Sequence, residues 1–221
     1  VYDRALLEEI AGLAEQHQLI VFADEIYDQM LYGEAQHVPM ATLVHDSLCA
    51  TFNGLSKIYR ACGYRVGWVS FSGDREQAAD YLHAVELLAS LRLCANVPGQ
   101  WAVQTALGGF QSVHKLTEPG GRLFQSRQAV IEAVAASRYL DLRVPDGAMY
   151  AFPSVRTDSF EDFNDQQFAL ELLEKKHVLI APGSSFNVPY RNHFRITTLP
   201  DEEQMGLVFE RMEEVLDLMA A

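Results

Sequence analysis

"FNGLSKIYRACGYRVGW", residues 52–68, sets one lysine, two arginines and three glycines among aromatic and small side chains. A surface helix spreads its charges at helical spacing and a buried strand carries none, so neither template explains this run. Its two ends read as strands. "LCATFNG" (48–54) leads into Lys57, and "YRVGWVSFSG" (64–73) leaves the run, ending at Gly73-Asp74. Arg65 follows Lys57 by eight positions and lies between Gly63 and Gly67. Glycines there let the backbone approach a ligand closely while the guanidinium forks onto an anion, for which phosphate is the natural guest.

Upstream, "LIVFADEIY" (19–27) is an apolar run that ends in acids. It reads as a buried parallel strand delivering Asp24 to its C-terminal end, where α/β sheets carry ligands. Tyr27 follows Asp24 at i+3 and adds a phenol. Lys57 comes thirty-three positions after Asp24, at the end of the next strand, within reach of the same crevice. Partial burial and a neighbouring guanidinium both favour the neutral, nucleophilic amine. Taken singly each residue has a plain alternative: a capping Asp, a half-buried Tyr, an exposed loop lysine. Downstream, Arg195 sits inside the apolar run "HFRITT" (193–198) and needs a carboxylate there, from an internal acid or from a substrate.

The remaining chain reads as α/β followed by α+β. Asp3 caps an amphipathic helix expected to turn Leu6, Leu7, Ile10 and Leu13 inward. A helix runs to about Leu93 after Gly73-Asp74, and another follows Pro98. "TEPGG" (117–121) marks the best boundary, giving units 1–118 and 119–221. Beyond it come a helix from about Leu123 to Ser137, short strands around "LRVPDGAMYAFP" (142–153), a helix near Gln166–His177, "VLIAPGSSF" (178–186), the Arg195 strand and a last helix from Asp201.

Composition limits the function. In 221 residues, 49% are apolar, enough for one good core or a core plus a smaller one. A net charge of -13 disfavours nucleic acid and anionic lipid surfaces as partners. Three cysteines without metal-ligand spacing suit a reducing cytoplasm, with no disulfide and no metal site expected. Arg92 interrupts the most apolar region, Val85 to Val97, so no membrane span is expected.

An acid, a phenol, a reactive lysine and a phosphate-binding arginine together are what pyridoxal 5'-phosphate requires. Through "ADEIYDQMLY" (23–32), "LSKIYRACGYRVGW" (55–68), "APGSSF" (181–186) and "HFRITT", in that order, the chain resembles the aspartate aminotransferase family of fold-type-I pyridoxal phosphate enzymes. "FNGLSK" and "FRITTLP" look most like its bacterial glutamate-pyruvate (alanine) aminotransferases.

The resemblance implies an α/β large domain with a mainly parallel sheet, of which 1–118 is the C-terminal part, and a small α+β domain with its connecting helix in 119–221. It implies an amino transfer between an amino acid, alanine or glutamate, and a 2-oxo acid. Lys57 would hold the cofactor as an aldimine and move the Cα proton, Asp24 would pair with the ring nitrogen, and Tyr27 would meet the ring's 3-oxygen. Arg65, helped by Ser56, would hold the phosphate; Arg195 would clamp the substrate carboxylate; Gly183 and Phe186 would shape the entrance loop. A homodimer is implied as well. The chain corresponds to the family's C-terminal portion, the preceding segment carrying an aromatic that stacks on the ring and further phosphate-binding amides. Gly54 stands where the family often has a serine on the phosphate. A β-eliminating lyase of the same fold shares these residues, and an aminotransferase-like effector-binding module is a non-catalytic alternative.

Overall fold

The computed structural model describes residues 1–220 and divides the chain into two compact units, between His114 and Lys115. In the first unit, helix α1 (Arg4–Gln16) starts at Asp3, whose carboxylate accepts a hydrogen bond from the Leu6 amide at 2.8 Å. Its inner stripe is Leu7, Ala11 and Ala14, of which Leu7 and Ala11 pack against Met40, Val44 and Cys49. Leu6, Ile10 and Leu13, expected inward, are exposed in the described chain, Leu13 at 56%. Both trios have helical spacing, and the flatter alanine stripe is the one that fits close against the sheet.

Strands β1 (Val21–Asp24), β2 (Leu48–Gly54) and β3 (Gly67–Gly73) form one sheet in the order β1-β2-β3. β1 runs parallel to β2, with Asp24 opposite Phe52, whereas β3 runs antiparallel to β2, with Gly54 opposite Gly67. The sheet is therefore mixed. β1 was expected to be buried, yet Phe22 is 61% exposed and stacks edge-on against Phe52, ring centroids 5.6 Å apart. In β1 the Phe22 side is open in the described chain, and the Val21 and Ala23 side packs against the cluster around Cys49.

After Gly73 the Asp74 carboxylate accepts from the Gln77 amide at 2.9 Å, and regular helix α2 spans Ala79–Ser90. Helix α3 (Val97–Gly108) begins at Asn96, which caps the Gly99 amide at 3.2 Å, with Pro98 in its first turn. A one-turn helix α4 (His114–Thr117) follows.

The second unit holds α5 (Arg122–Ala136), β4 (Leu140–Asp141), β5 (Tyr150–Ala151), β6 (Ser154–Val155), α6 (Asp165–Lys176), β7 (Ala181–Pro182), β8 (Phe194–Thr197) and α7 (Glu202–Ala220). β8 is the middle strand of β5-β8-β7, and β4 pairs with β6. The core joins Phe168 and Leu172 of α6, Phe194 of β8, and Met205, Phe209, Met212 and Leu216 of α7, which recur at helical spacing. Truncating a residue such as the fully buried Phe168 to Ala costs about 3–5 kcal/mol. Among the described residues no helix is long and apolar enough to cross a membrane.

A tight point of the first unit lies where β2 meets β3. A Cβ on Gly54 would stand 2.9 Å from the Val66 carbonyl oxygen and 3.1 Å from the Gly67 Cα. Any side chain at 54 must push the two backbones apart, and that accounts for the glycine at this position. Gly54→Ser is expected to lower stability by about 1–3 kcal/mol, read as a drop in Tm by circular dichroism; an unchanged Tm would show that β3 yields freely.

Candidate functional site

One end of the three-stranded sheet gathers five residues singled out by the sequence. Asp24 is the last residue of β1 and is exposed; its carboxylate accepts from the Ile26 amide at 3.3 Å, the start of a turn that carries Tyr27, which is half-buried. The Glu25 amide donates to the Phe52 carbonyl at 2.9 Å and so extends the parallel pairing into that turn. β2 ends at Gly54, and the connection 55–66 carries Ser56, Lys57 and Arg65 before β3 begins. The connection is closed at its base by the Leu55 amide on the Val66 carbonyl, 3.0 Å, and folded inside by the Ala61 amide on the Leu55 carbonyl, 3.0 Å. Lys57 and Ser56 are half-buried in a bend, and the Lys57 carbonyl accepts from the Arg60 amide at 3.0 Å. Among the described residues no ion pair engages Asp24, Lys57 or Arg65.

Arg65 has φ +52, the left-handed region that a non-glycine residue occupies only when its surroundings impose it. Two contacts impose it. Its Nη1 donates to the Cys62 carbonyl at 2.8 Å, and the Asn96 side-chain Nδ2 at the head of α3 donates to the Tyr64 carbonyl next door. The guanidinium remains exposed.

These groups fit pyridoxal phosphate by their chemistry: a carboxylate at a strand end for a ring nitrogen, a half-buried amine without an acid partner for an aldehyde carbon, and an exposed, backbone-pinned guanidinium for a phosphate. Two supporting groups escaped the sequence reading. The Glu25 carboxylate accepts from the Met40 amide at 2.9 Å and lies 3.2 Å from His37 Nε2. Asn53 bonds both the Glu25 carbonyl and the Asp28 carboxylate, each at 3.2 Å. No motif spacing could reveal these contacts, since the partners are far apart in the chain. Burial pushes the Asp28 carboxyl above its ordinary range, and burial likewise raises the Tyr59 phenol.

In the second unit, Arg195 lies between two rings, its guanidinium carbon 4.8 Å from the Tyr150 centroid and 4.6 Å from that of Phe186. No carboxylate pairs with it among the described residues. Tyr150 was not foreseen; its signal is the antiparallel pairing of β5 with β8. Phe186 ends the turn Gly183–Phe186, whose start is fixed by fully buried Asp165, accepting from the Ser184 amide at 2.6 Å. Gly183 packs on the His193 carbonyl, where a Cβ would come within 2.6 Å.

The family model "Aminotransferase class I and II" matches residues 1–212. The chain belongs to the aminotransferase class I and II family. Members of this family are pyridoxal phosphate-dependent enzymes, and their large domain has the type-I fold. The chain is 44% identical to the glutamate-pyruvate aminotransferase AlaA of Escherichia coli K12 over 98% of its own length and 53% of the relative's. It is 41% identical to an alanine aminotransferase of Mycobacterium bovis, over 98% of the chain and 50% of that protein. A crystal structure of an aminotransferase from Escherichia coli superposes with a TM-score of 0.94 at 44% identity, covering 98% of this chain and 54% of the other. The chain thus spans about half the length of the curated relatives it matches.

The raised Asp28 carboxyl has a measurable consequence. An acid whose folded pKa exceeds its unfolded value contributes full stability below the ordinary carboxyl pKa, about 4, and loses it as pH rises through the folded value. Asp28→Asn keeps an oxygen for Asn53 and removes that loss. Its Tm at pH 7 is expected to equal or exceed that of the unsubstituted protein, the gap closing as pH falls toward about 4; a Tm well below the unsubstituted protein at pH 7 would contradict the assignment.

Proposed function

We propose that the protein containing this chain is a pyridoxal phosphate-dependent aminotransferase that exchanges an amino group between glutamate or alanine and a 2-oxo acid. The observation that carries this reading is the placement of Lys57, half-buried and without an acid partner, at the same sheet end as Asp24, Tyr27 and Arg65. The names of the relatives support transfer over elimination and point to the glutamate–pyruvate pair.

When bound, the pyridoxal phosphate supplies the carbonyl that receives the amino group and the electron sink for the charge left at the substrate Cα. The chain's own side chains do the rest. Asp24 holds the proton on the ring nitrogen, and Tyr27 hydrogen-bonds the ring's 3-oxygen. The Lys57 Nζ would anchor the group to the protein and, as a free amine, would take the proton from the substrate Cα as general base. Arg65 and the Ser56 hydroxyl bind the phosphate, and Arg195 binds the substrate carboxylate as a two-pronged donor. In this reading 1–118 is the C-terminal part of the large domain and 119–221 is the small one with its connecting helix. The protein is read as a cytoplasmic homodimer, an association supported by the exposed Leu88, Leu91, Leu93 and Trp101 around α2 and α3.

The full-length protein, loaded with pyridoxal phosphate, reduced with borohydride and mapped by peptide, should carry the label on Lys57; a label on Lys115, Lys175 or Lys176 would overturn the reading. Asp24→Ala should keep the label yet lose most of the proton-transfer rate in single-turnover kinetics with glutamate. Arg195→Ala should lower kcat/KM for glutamate by about 10²-fold or more, chiefly through KM, and Arg195→Lys should restore little of it, because an ammonium neither stacks between the rings nor forks onto a carboxylate.

A further inference from the structure

Asn53 spends both of its amide donors and its carbonyl oxygen on the two segments that carry the site. Its Nδ2 donates to the Glu25 carbonyl and to the Asp28 Oδ2, each at 3.2 Å, while its Oδ1 accepts from the Gly54 amide at 2.7 Å. The orientation of the amide is fixed by its partners: the carbonyl and the carboxylate only accept and the Gly54 amide only donates, so a flipped side chain would oppose like groups on both sides. Glu25 and Asp28 bracket the turn that places Asp24 and Tyr27, and Gly54 is the last residue of β2, from which the bend holding Lys57 departs. The Glu25 carbonyl also accepts from the Asp28 amide at 3.0 Å, so the turn's internal bond and the cross-strand bond meet on one oxygen.

We propose that Asn53 is a positioning residue that sets the Asp24–Tyr27 turn against the Lys57 bend, an inference that rests on the transaminase reading above. Lys57 must meet the cofactor's aldehyde carbon while Asp24 meets the nitrogen on the opposite side of the same ring. A small rotation of either segment therefore spoils both contacts at once. Backbone pairing ends at the Glu25 amide, and beyond it Asn53 is a side-chain link between the two segments, alongside the Tyr59 phenol, which reaches Gln29 from the lysine segment. The link costs stability, since Asp28 is half-buried and one of its oxygens lacks a partner among the described residues. An apolar pair would hold two loops together at lower cost, but without fixing their angle.

The groups facing Asn53 make the idea testable. Asp28 and Glu25 approach from the turn, His37 lies behind Glu25, and Tyr59, on the lysine segment, interacts with Asp28. In the full-length protein with pyridoxal phosphate, three variants are compared by the visible absorption band of the bound cofactor against pH, by kcat and KM for glutamate, and by Tm. Asn53→Ala should still be labelled at Lys57 by borohydride. Its kcat should fall about tenfold with KM moving less than about threefold, and the pH midpoint of the band should move by about half a unit or more.

Asn53→Asp sets a second carboxylate against Asp28, so its deficit should exceed that of the alanine variant at pH 8 and shrink as pH falls and one of the two acids takes up a proton. Adding Asp28→Asn to Asn53→Asp restores a donor–acceptor pair with the roles exchanged and should recover much of that deficit. The inference is overturned by an alanine variant with unchanged kcat and band midpoint, including one whose Tm alone has fallen, or by a double variant no better than Asn53→Asp. An unsubstituted protein without a visible band and without label on Lys57 would instead remove the cofactor reading, and this inference with it.

Discussion

Two backbones in contact, with no side chain between them, set the geometry of this chain's first unit. Gly54 and Gly67 face each other across β2 and β3, and the Leu55–Val66 hydrogen bond closes the connection immediately beyond them. Because that closure is tight, the residues of the connection are held as a compact excursion and do not wander as a long loop. The lysine on one limb and the left-handed arginine on the other then project from a common base. β1 reaches the same end by its parallel register, which sets Asp24 beside Phe52. A carboxylate, an amine and a guanidinium from distant points of the sequence are thereby presented by one rigid sheet end, the arrangement expected where strand termini carry a ligand.

Legibility in the sequence followed the range of the physics involved. The strand 48–54 reads to the residue because a turn glycine ends an apolar run, which is local information. The cap at Asp3 works the same way, its carboxylate accepting from the Leu6 amide at 2.8 Å. The inner face of α1 was misread because two stripes share the helical period, and only the distance to the sheet selects alanine over leucine. Burial of β1 was overestimated for a related reason: an apolar run states what a strand is able to bury, not what covers it in the chain at hand. The candidate site residues stand on strand ends and turns as foreseen, since motif spacing reflects strand length. Asn53, Glu25 and Tyr150 stayed hidden, their importance lying in contacts across 15 to 47 positions of sequence that no local pattern encodes.

The two units solve their burial problems differently. The second is a closed ledge of helices and short strands, with Phe168, Phe194, Met212 and Leu216 sealed inside it. Outside that core, Asp217 collects the Arg138 guanidinium at 2.6 and 2.8 Å and the Tyr139 hydroxyl at 2.7 Å, tying the end of α7 to the segment after α5. The first unit keeps bulky apolar groups in the open, among them Phe22, Leu88 and Trp101. Surface of that kind is what the proposed association would cover.

Arg195 illustrates how a positive charge can be kept ready without an opposite charge to hold it. Tyr150 and Phe186 grip its guanidinium by their faces, so the planar group is stacked and oriented while its edge donors stay uncommitted. A guanidinium locked to a carboxylate must break that pair before it can accept a new anion, and the exchange is slow and selective. One gripped by rings has nothing to release. It also has little rotamer entropy left to lose, so an arriving carboxylate meets a socket already shaped. In the proposed reading such a socket binds the carboxylate, which an amino acid and its keto counterpart share along with their side chain, and it is indifferent to which of them arrives first.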